Sequence, residues 1–216
     1  MKATPIDKTI AFVKQALLNA EAGHDWFHVE RVWNNAKLIL KSEKANALVV
    51  ELAALLHDIA DSKFHAGDEE LGPTIAEQFL RSISLPEETV NHITNIIRYM
   101  SFKSGFEKVD FSSKEMDIVQ DADRLDALGA IGIARAFHYG GFKNRPIYDP
   151  EVKPQPQQSK EAYKNSTAPT INHFYEKLLL LSDRMNTSTA KRIAAKRHQY
   201  MEGFLLQFYE EWNGIT

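Results

Sequence analysis

Apolar residues recur three and four positions apart along nearly the whole of this 216-residue chain, a spacing that admits helices and little else. Ile10, Val13, Leu17 and Leu18 define the first helix, behind Thr4 as N-cap and Pro5 at the first helical position. A second is predicted over Asp25–Lys41, with Val29, Val32, Trp33, Ala36, Ile39 and Leu40 facing inward. The third, Asn46–Ile59, is apolar nearly all round, the pattern of a buried central helix. Two more are expected over 68–82, where Gly72 and Pro73 disturb the first turn, and over 86–100, whose Glu87 and Glu88 suit the positive end of the helix dipole. A sixth covers 114–128, with Ser112 and Glu115 as a capping box. Gly129 and Gly132 interrupt it before the pattern resumes over 131–138, and helices over 170–181 and 187–212 close the chain.

Between Tyr139 and Ala168 the period fails, and Gly140, Gly141, Pro146, Pro150, Pro154 and Pro156 fall here. A structureless stretch of roughly 25 to 30 residues in a compact domain is usually functional or disordered. We read it as a flap over a site, with a flexible surface insertion as the alternative. The length predicts a single domain over 1–216, with C-terminal helices over 170–212. A composition of 44% apolar and 25% charged residues excludes a disordered chain. A net charge of −3 provides no field to draw the protein onto nucleic acid or anionic lipid. The absence of cysteine excludes a disulfide scaffold, a thiolate zinc or iron–sulfur site and a cysteine nucleophile. The longest apolar stretch, 47–56, is broken by Glu51 and is too short to span a bilayer. A soluble cytoplasmic protein, monomer or homodimer, with neither a nucleic-acid nor a membrane partner, is the expectation.

The informative residues are ionisable groups on helices that otherwise read as buried. Burying an unpaired charge is costly, so such groups are paired or bind metal. His57 and Asp58 end the most apolar helix of the chain. Upstream, His24 and His28 stand four apart on one helical face, with Arg31 three residues beyond. Zinc proteases use the same spacing in H-E-x-x-H, but Asp25, Trp26 and Phe27 supply no glutamate base between these histidines. Downstream, Asp121, Asp123 and Asp126 lie within six residues of an otherwise apolar helix, Asp123 and Asp126 on a shared face. They need a counter-charge, which a metal, Arg124 or Arg31 would supply. His57-Asp58 alone is most simply a histidine bonded to an acid; with the other two motifs it suits a divalent metal.

His28-x-x-Arg31, then His57-Asp58, then Asp123-Arg124-Leu125 resembles the H…HD…D signature of the HD-domain metal-dependent phosphohydrolase superfamily, across a motif core of about 23–135. Within it, 23–32, 57–64 and 120–135 are similar to the small stand-alone bacterial members of the YpgQ/YedJ type. The resemblance implies an all-α bundle of about eight or nine helices. It implies His28, His57, Asp58 and Asp123 as ligands of one divalent ion, Asp123 being preferred to Asp121 and Asp126 because 122–125 is the matching segment. It implies Mn²⁺ first, with Fe²⁺, Co²⁺, Ni²⁺ or Mg²⁺ as alternatives. Asp61 then takes the place where some members carry a catalytic acid, several of them a glutamate, to position or deprotonate the attacking water.

The implied substrate is a nucleotide and the implied reaction is hydrolysis of a nucleoside triphosphate to monophosphate and pyrophosphate. A nucleotide phosphomonoesterase, a cyclic-nucleotide phosphodiesterase and a non-catalytic nucleotide- or metal-sensing module are the alternatives. Phosphate requires cations. Arg31, Lys63, Arg98, Lys103 and Arg124 are candidates, and Arg31, Lys63 and Lys103 form the expected substrate-binding set. His24 and Asp25 are expected behind the ligands rather than among them. His65 and His92 are candidate lining residues, and His138, His173 and His198 read as ordinary helix residues. Phe137, Tyr139, Phe142 and Tyr148 either stack on a base or pack an irregular segment.

Overall fold

Thr4 begins the first helix as its place before Pro5 predicts. Its Oγ1 accepts from the Asp7 amide at 3.1 Å, while Asp7 Oδ2 accepts from the Thr4 amide at 2.9 Å, which closes a capping box. The computed structural model describes residues 3–18, 20, 23–60, 68–100, 111–155 and 166–215. Among these there is no strand, and the fold is all-α as the period requires. The α-helices are α1 Pro5–Ala16, α2 Trp26–Leu40, α3 Ala47–Leu56, α4 Leu71–Ser82, α5 Glu87–Tyr99, α6 Lys114–Asp126, α7 Gly129–Phe142, α8 Thr170–His173 and α9 Ser188–Trp212. A π segment, Phe174–Leu178, and a 3-10 segment, Leu179–Arg184, join α8 to α9. No described helix is long and apolar enough to cross a membrane. The chain divides into two compact units, 1–123 and 124–216.

In the first unit, α3 is the centre. Val49, Val50, Leu52, Ala53, Ala54, Leu55 and Leu56 are all buried, and the helix packs against α1, α2 and α5. Fully burying each large aliphatic side chain stabilises the fold by about 1.5–3 kcal/mol. Helix α3 stops at Leu56 rather than at Ile59, and 57–60 form a turn with His57 as C-cap. Helix α4 starts at Leu71 rather than near 68. Pro73 lacks an amide hydrogen and so belongs in a first turn, where the N–H has no intrahelical partner. The cap of α6 is Ser113, not Ser112: Ser113 Oγ accepts from the Met116 amide at 3.1 Å. Because the helix begins at Lys114, the reach of three residues runs from 113 to 116. Glu115, the expected partner in that box, accepts instead from the Asn46 amide at 2.8 Å.

In the second unit, Gly129 takes φ +73° and turns the chain sharply into α7. Helix α7 continues to Phe142, four residues past its predicted end. Gly140 lies against the Thr170 side chain, where a Cβ would have no room, so this weak helix former is retained for close approach to α8. The segment after α7 is well tied down over its described part rather than a loose insertion. The Thr170 and Ile171 amides donate to the carbonyls of Pro146 and Ile147 at 2.9 and 3.0 Å. Asn172 Nδ2 donates to the Val152 carbonyl at 2.9 Å, and the Gln155 amide to Glu176 Oε1 at 3.0 Å. Arg145 donates to the Ser166 carbonyl. Residues 143–155 thus form a strap fastened along α8; 156–165 lie outside the described residues. An aromatic ladder backs this unit. Phe137 meets Phe174 and Phe204, each with centroids 5.9 Å apart, and Tyr148 meets Phe208, Tyr209 and Trp212 at 5.8, 5.4 and 5.0 Å. Of the four aromatic residues singled out from sequence, Phe137 is therefore a packing residue, and Tyr148 is held edge-on by the rings of α9. Tyr139 and Phe142 stay 43% and 55% exposed.

Candidate metal centre

The first unit brings together the distant polar motifs. Asp25 begins α2 by accepting from the His28 amide at 3.0 Å, which sets the helical register that carries His28 inward. Asp25 Oδ1 thus serves the backbone of His28, while His24 meets the Asp58 carboxylate directly. At the end of α3, His57 Nδ1 lies 2.9 Å from the Ala54 carbonyl. A carbonyl only accepts, so Nδ1 carries a proton and is spent on the backbone, which leaves Nε2 as the ring nitrogen turned toward the other motifs. That Nε2 faces His28 Nε2 at 3.3 Å. His24 Nδ1 donates to Asp58 Oδ2 at 2.5 Å, and the same oxygen lies 3.8 Å from His28 Nε2. Asp123 Oδ1, from α6, lies 3.6 Å from His28 Nε2 and 3.9 Å from His57 Nε2. His28, His57 and Asp58 each offer one donor atom, all within 4.8 Å of one another, and such a group can hold a metal ion.

Burial by itself opposes ionisation of Asp58. The hydrogen bond from His24 and the charges of His24, His57 and His28 outweigh it and hold the carboxyl well below the usual range. The group opens on one side. The side chains of His28, His57 and Asp58 are 3%, 6% and 13% exposed, whereas that of Asp123 is 43% exposed. One residue outside the sequence motifs supports the arrangement. Asn35 Nδ2 donates to the Ala122 carbonyl at 3.1 Å, tying α2 to the α6 turn that carries Asp123. Its signal in the sequence is an amide seven residues after His28, set on the apolar stripe of Val32, Ala36 and Ile39.

The other candidates separate cleanly. Neither Asp121 nor Asp123 belongs to the three-residue group; Asp123 borders its two imidazoles at 3.6 and 3.9 Å, Asp121 is fully buried on α6, and Asp126 is paired with Arg135 at 2.7 Å. Arg98 forks onto Glu70, with Nε 3.0 Å from both carboxylate oxygens, and Arg124 Nη1 donates to the Arg184 carbonyl at 2.6 Å. Both have structural partners. His92 hydrogen-bonds Ser113 Oγ at 3.0 Å and meets the Phe111 ring edge-on, so it serves the start of α6 rather than this group. Arg31 is half-buried one turn after His28. Asp61, Lys63, His65 and Lys103 lie outside the described residues.

The HD domain family model matches residues 26–128, the stretch that carries all three of these motifs. The chain belongs to the HD-domain family. Within it, Bacillus subtilis (strain 168) YpgQ is 38% identical over 207 residues, spanning 94% of this chain and 92% of its own. A crystal structure of an HD-superfamily hydrolase from Bacillus thuringiensis superposes with a TM-score of 0.76 at 45% identity, covering 96% of each chain. A crystal structure of Bacillus subtilis YpgQ in complex with ADP superposes with a TM-score of 0.74 at 32% identity, covering 95% of this chain and 94% of that one.

Proposed function

We propose that this protein is a divalent-metal-dependent phosphohydrolase of nucleotides, and first a nucleoside triphosphate pyrophosphohydrolase. The observation that carries the reading is the 3.3 Å approach of two Nε2 atoms with two carboxylates beside them. Two nitrogens bound to one ion at ~2.1 Å stand about 3 Å apart when adjacent in its coordination sphere, so the donor set fits a single cation. His28, His57, Asp58 and Asp123 would hold it. Imidazole ligands shift the preference from Mg²⁺ toward transition ions, with Mn²⁺ as our first choice. Such an ion polarises a phosphoryl oxygen and acidifies water when bound.

The chain's own groups supply the rest. His24 orients the Asp58 carboxylate through its short hydrogen bond, and the Ala54 carbonyl fixes the tautomer of His57. Asp123, the most exposed of the four, lies where a phosphate enters. Asp61, one turn on from Asp58 in sequence, is the proposed acceptor of the proton from the attacking water, and Arg31, Lys63 and Lys103 the proposed phosphate cations. Water oxygen bonds to the α-phosphorus, the α–β bridging bond breaks, and pyrophosphate leaves beside a nucleoside monophosphate. The ADP complex of a relative supports a nucleotide as the ligand class.

A panel of nucleoside tri-, di- and monophosphates and cyclic nucleotides with Mn²⁺, read by product identity, tests this. Pyrophosphate from triphosphates is the expected result. Orthophosphate plus nucleoside from monophosphates, or opening of a cyclic nucleotide, would replace it with one of the other two reactions. Mn²⁺ binding with no turnover on any of them would leave a sensing module.

A further inference from the structure

The second unit holds a cavity of about 220 Å³ that the metal chemistry does not use. Tyr148, Pro150 and Pro154 of the strap, Asn172 of α8, and Tyr175 and Tyr209 line it. We infer that this cavity is a binding site for a purine-type base, a planar ring system bearing an N–H donor. The inference rests on residues 124–216 alone and stands whether or not the metal centre hydrolyses nucleotides.

Size comes first. A closed cavity of about 150 Å³ accommodates a benzene ring, so this one has room for a bicyclic base. The walls are next. Tyr148 is fixed edge-on by Tyr209 and Trp212, and Tyr209 shares a hydrogen bond with Tyr175. Burial, with that bond, pushes the Tyr209 hydroxyl well above the ordinary tyrosine range, so it remains a neutral phenol. Neutral aromatic and proline faces suit a flat ring and provide nothing for a charged head group.

The polar group that selects the ligand is Asn172. It is 1% exposed; its Nδ2 is committed to the Val152 carbonyl, and its Oδ1 is buried with no hydrogen-bond partner. A buried acceptor without a donor is uncommon in folded proteins, and the base edge of a purine supplies that donor. A proline-rich peptide suits tyrosine and proline walls equally well, but a proline has no N–H to offer. Lys153 also lines the cavity; it is exposed and bonds the Pro150 carbonyl at 3.1 Å through one of its three N–H groups. Its charge favours a phosphate carried on the sugar of the bound base.

Trp212, in contact with Tyr148, makes the site observable. The full chain with ¹⁵N-labelled tryptophan, freed of metal with EDTA, is titrated with adenosine and adenosine monophosphate. We expect a saturable shift of the Trp212 indole signal, assigned with W212F, while Trp26 and Trp33 of α2 stay in place. Asn172→Leu and Tyr175→Ala should each weaken the response about tenfold, Lys153→Glu should weaken the monophosphate more than adenosine, and Asp58→Ala should change nothing. Tyr175 is 39% exposed, so its variant carries the test if Asn172→Leu does not fold. No Trp212 shift at millimolar ligand, a shift indifferent to both cavity variants, or a stronger response to decaproline than to adenosine would each overturn the inference.

Discussion

The two units bury polarity in opposite ways. In the first, His28, His57 and Asp58 are all at most 13% exposed, gathered where the most apolar helix ends. In the second, Asp126 is matched by Arg135, the Ser166 carbonyl by Arg145 and the Ala190 amide by Thr187, while Asn172 Oδ1 is buried without a partner. Its interior is dominated by the rings of Phe137, Phe174, Phe204 and Phe208. The contrast supports placing the proposed metal centre in the first unit. Charge is buried among donors that converge on a point only where a cation can compensate it, because removing it from water is otherwise too costly.

The sharpest way to break that contrast is Asp58→Ala. It should abolish retention of Mn²⁺ in equilibrium dialysis and lower turnover by at least about 10³-fold. It should also remove the rise in melting temperature that Mn²⁺ confers on the parent protein by binding the native state. Full manganese-dependent activity in this variant would end the metal assignment.

His24→Ala leaves the ligands in place but releases the Asp58 carboxylate. We expect Mn²⁺ affinity to fall about 10- to 100-fold, with the fold intact by circular dichroism. An unchanged affinity would show that Asp58 needs no such support.

Asp126→Ala sharpens the comparison from the other side. It removes the carboxylate that Arg135 bonds and should destabilise the protein by about 1–3 kcal/mol in urea unfolding. Turnover per folded molecule should change far less than in Asp58→Ala. An equal loss of metal in the two variants would mean that the wrong aspartate of α6 had been placed in the centre.

The smallest effect concerns His173. Burial, aided by the charges of Lys177 and Arg145, pushes its pKa down to about 3. The unfolded chain, with a pKa near 6.5 for this group, then binds the extra proton. Stability contributed by the neutral ring is present above pH ~6.5 and falls as the pH drops toward 3, by at most about 1.4 kcal/mol per pH unit. His173→Gln should flatten the pH dependence of the unfolding free energy between pH 6 and 4; an unaltered slope would show that this ring is not the group responsible.

Much of the framework obeys local rules that act within a few residues. The apolar period of 47–56, the Thr4-Pro5 start of α1 and the acidic first turn of α5 depend on spacing and capping, which a chain carries wherever it folds. The order of the three polar motifs was equally legible, because buried charge on an apolar helix is conspicuous against its neighbours. Local rules stop at the ends of elements. Gly140 and Gly141 read as a helix end, yet α7 passes through them because Thr170 packs there.

What the sequence determined by itself is the set of helices and the kinds of donor atoms they bear. Which donors meet was decided by tertiary structure. Asp123 and Asp126 share a helical face, but one approaches His28 at 3.6 Å and the other is claimed by Arg135, nine residues along the chain. Asp25, expected behind a ligand, spends its carboxylate on the start of α2, while Asn35, which belongs to no motif, ties α2 to the turn that bears Asp123. The physical reason is that helical periodicity assigns a side chain to a face, whereas its partner is whatever the packing of other helices sets opposite that face.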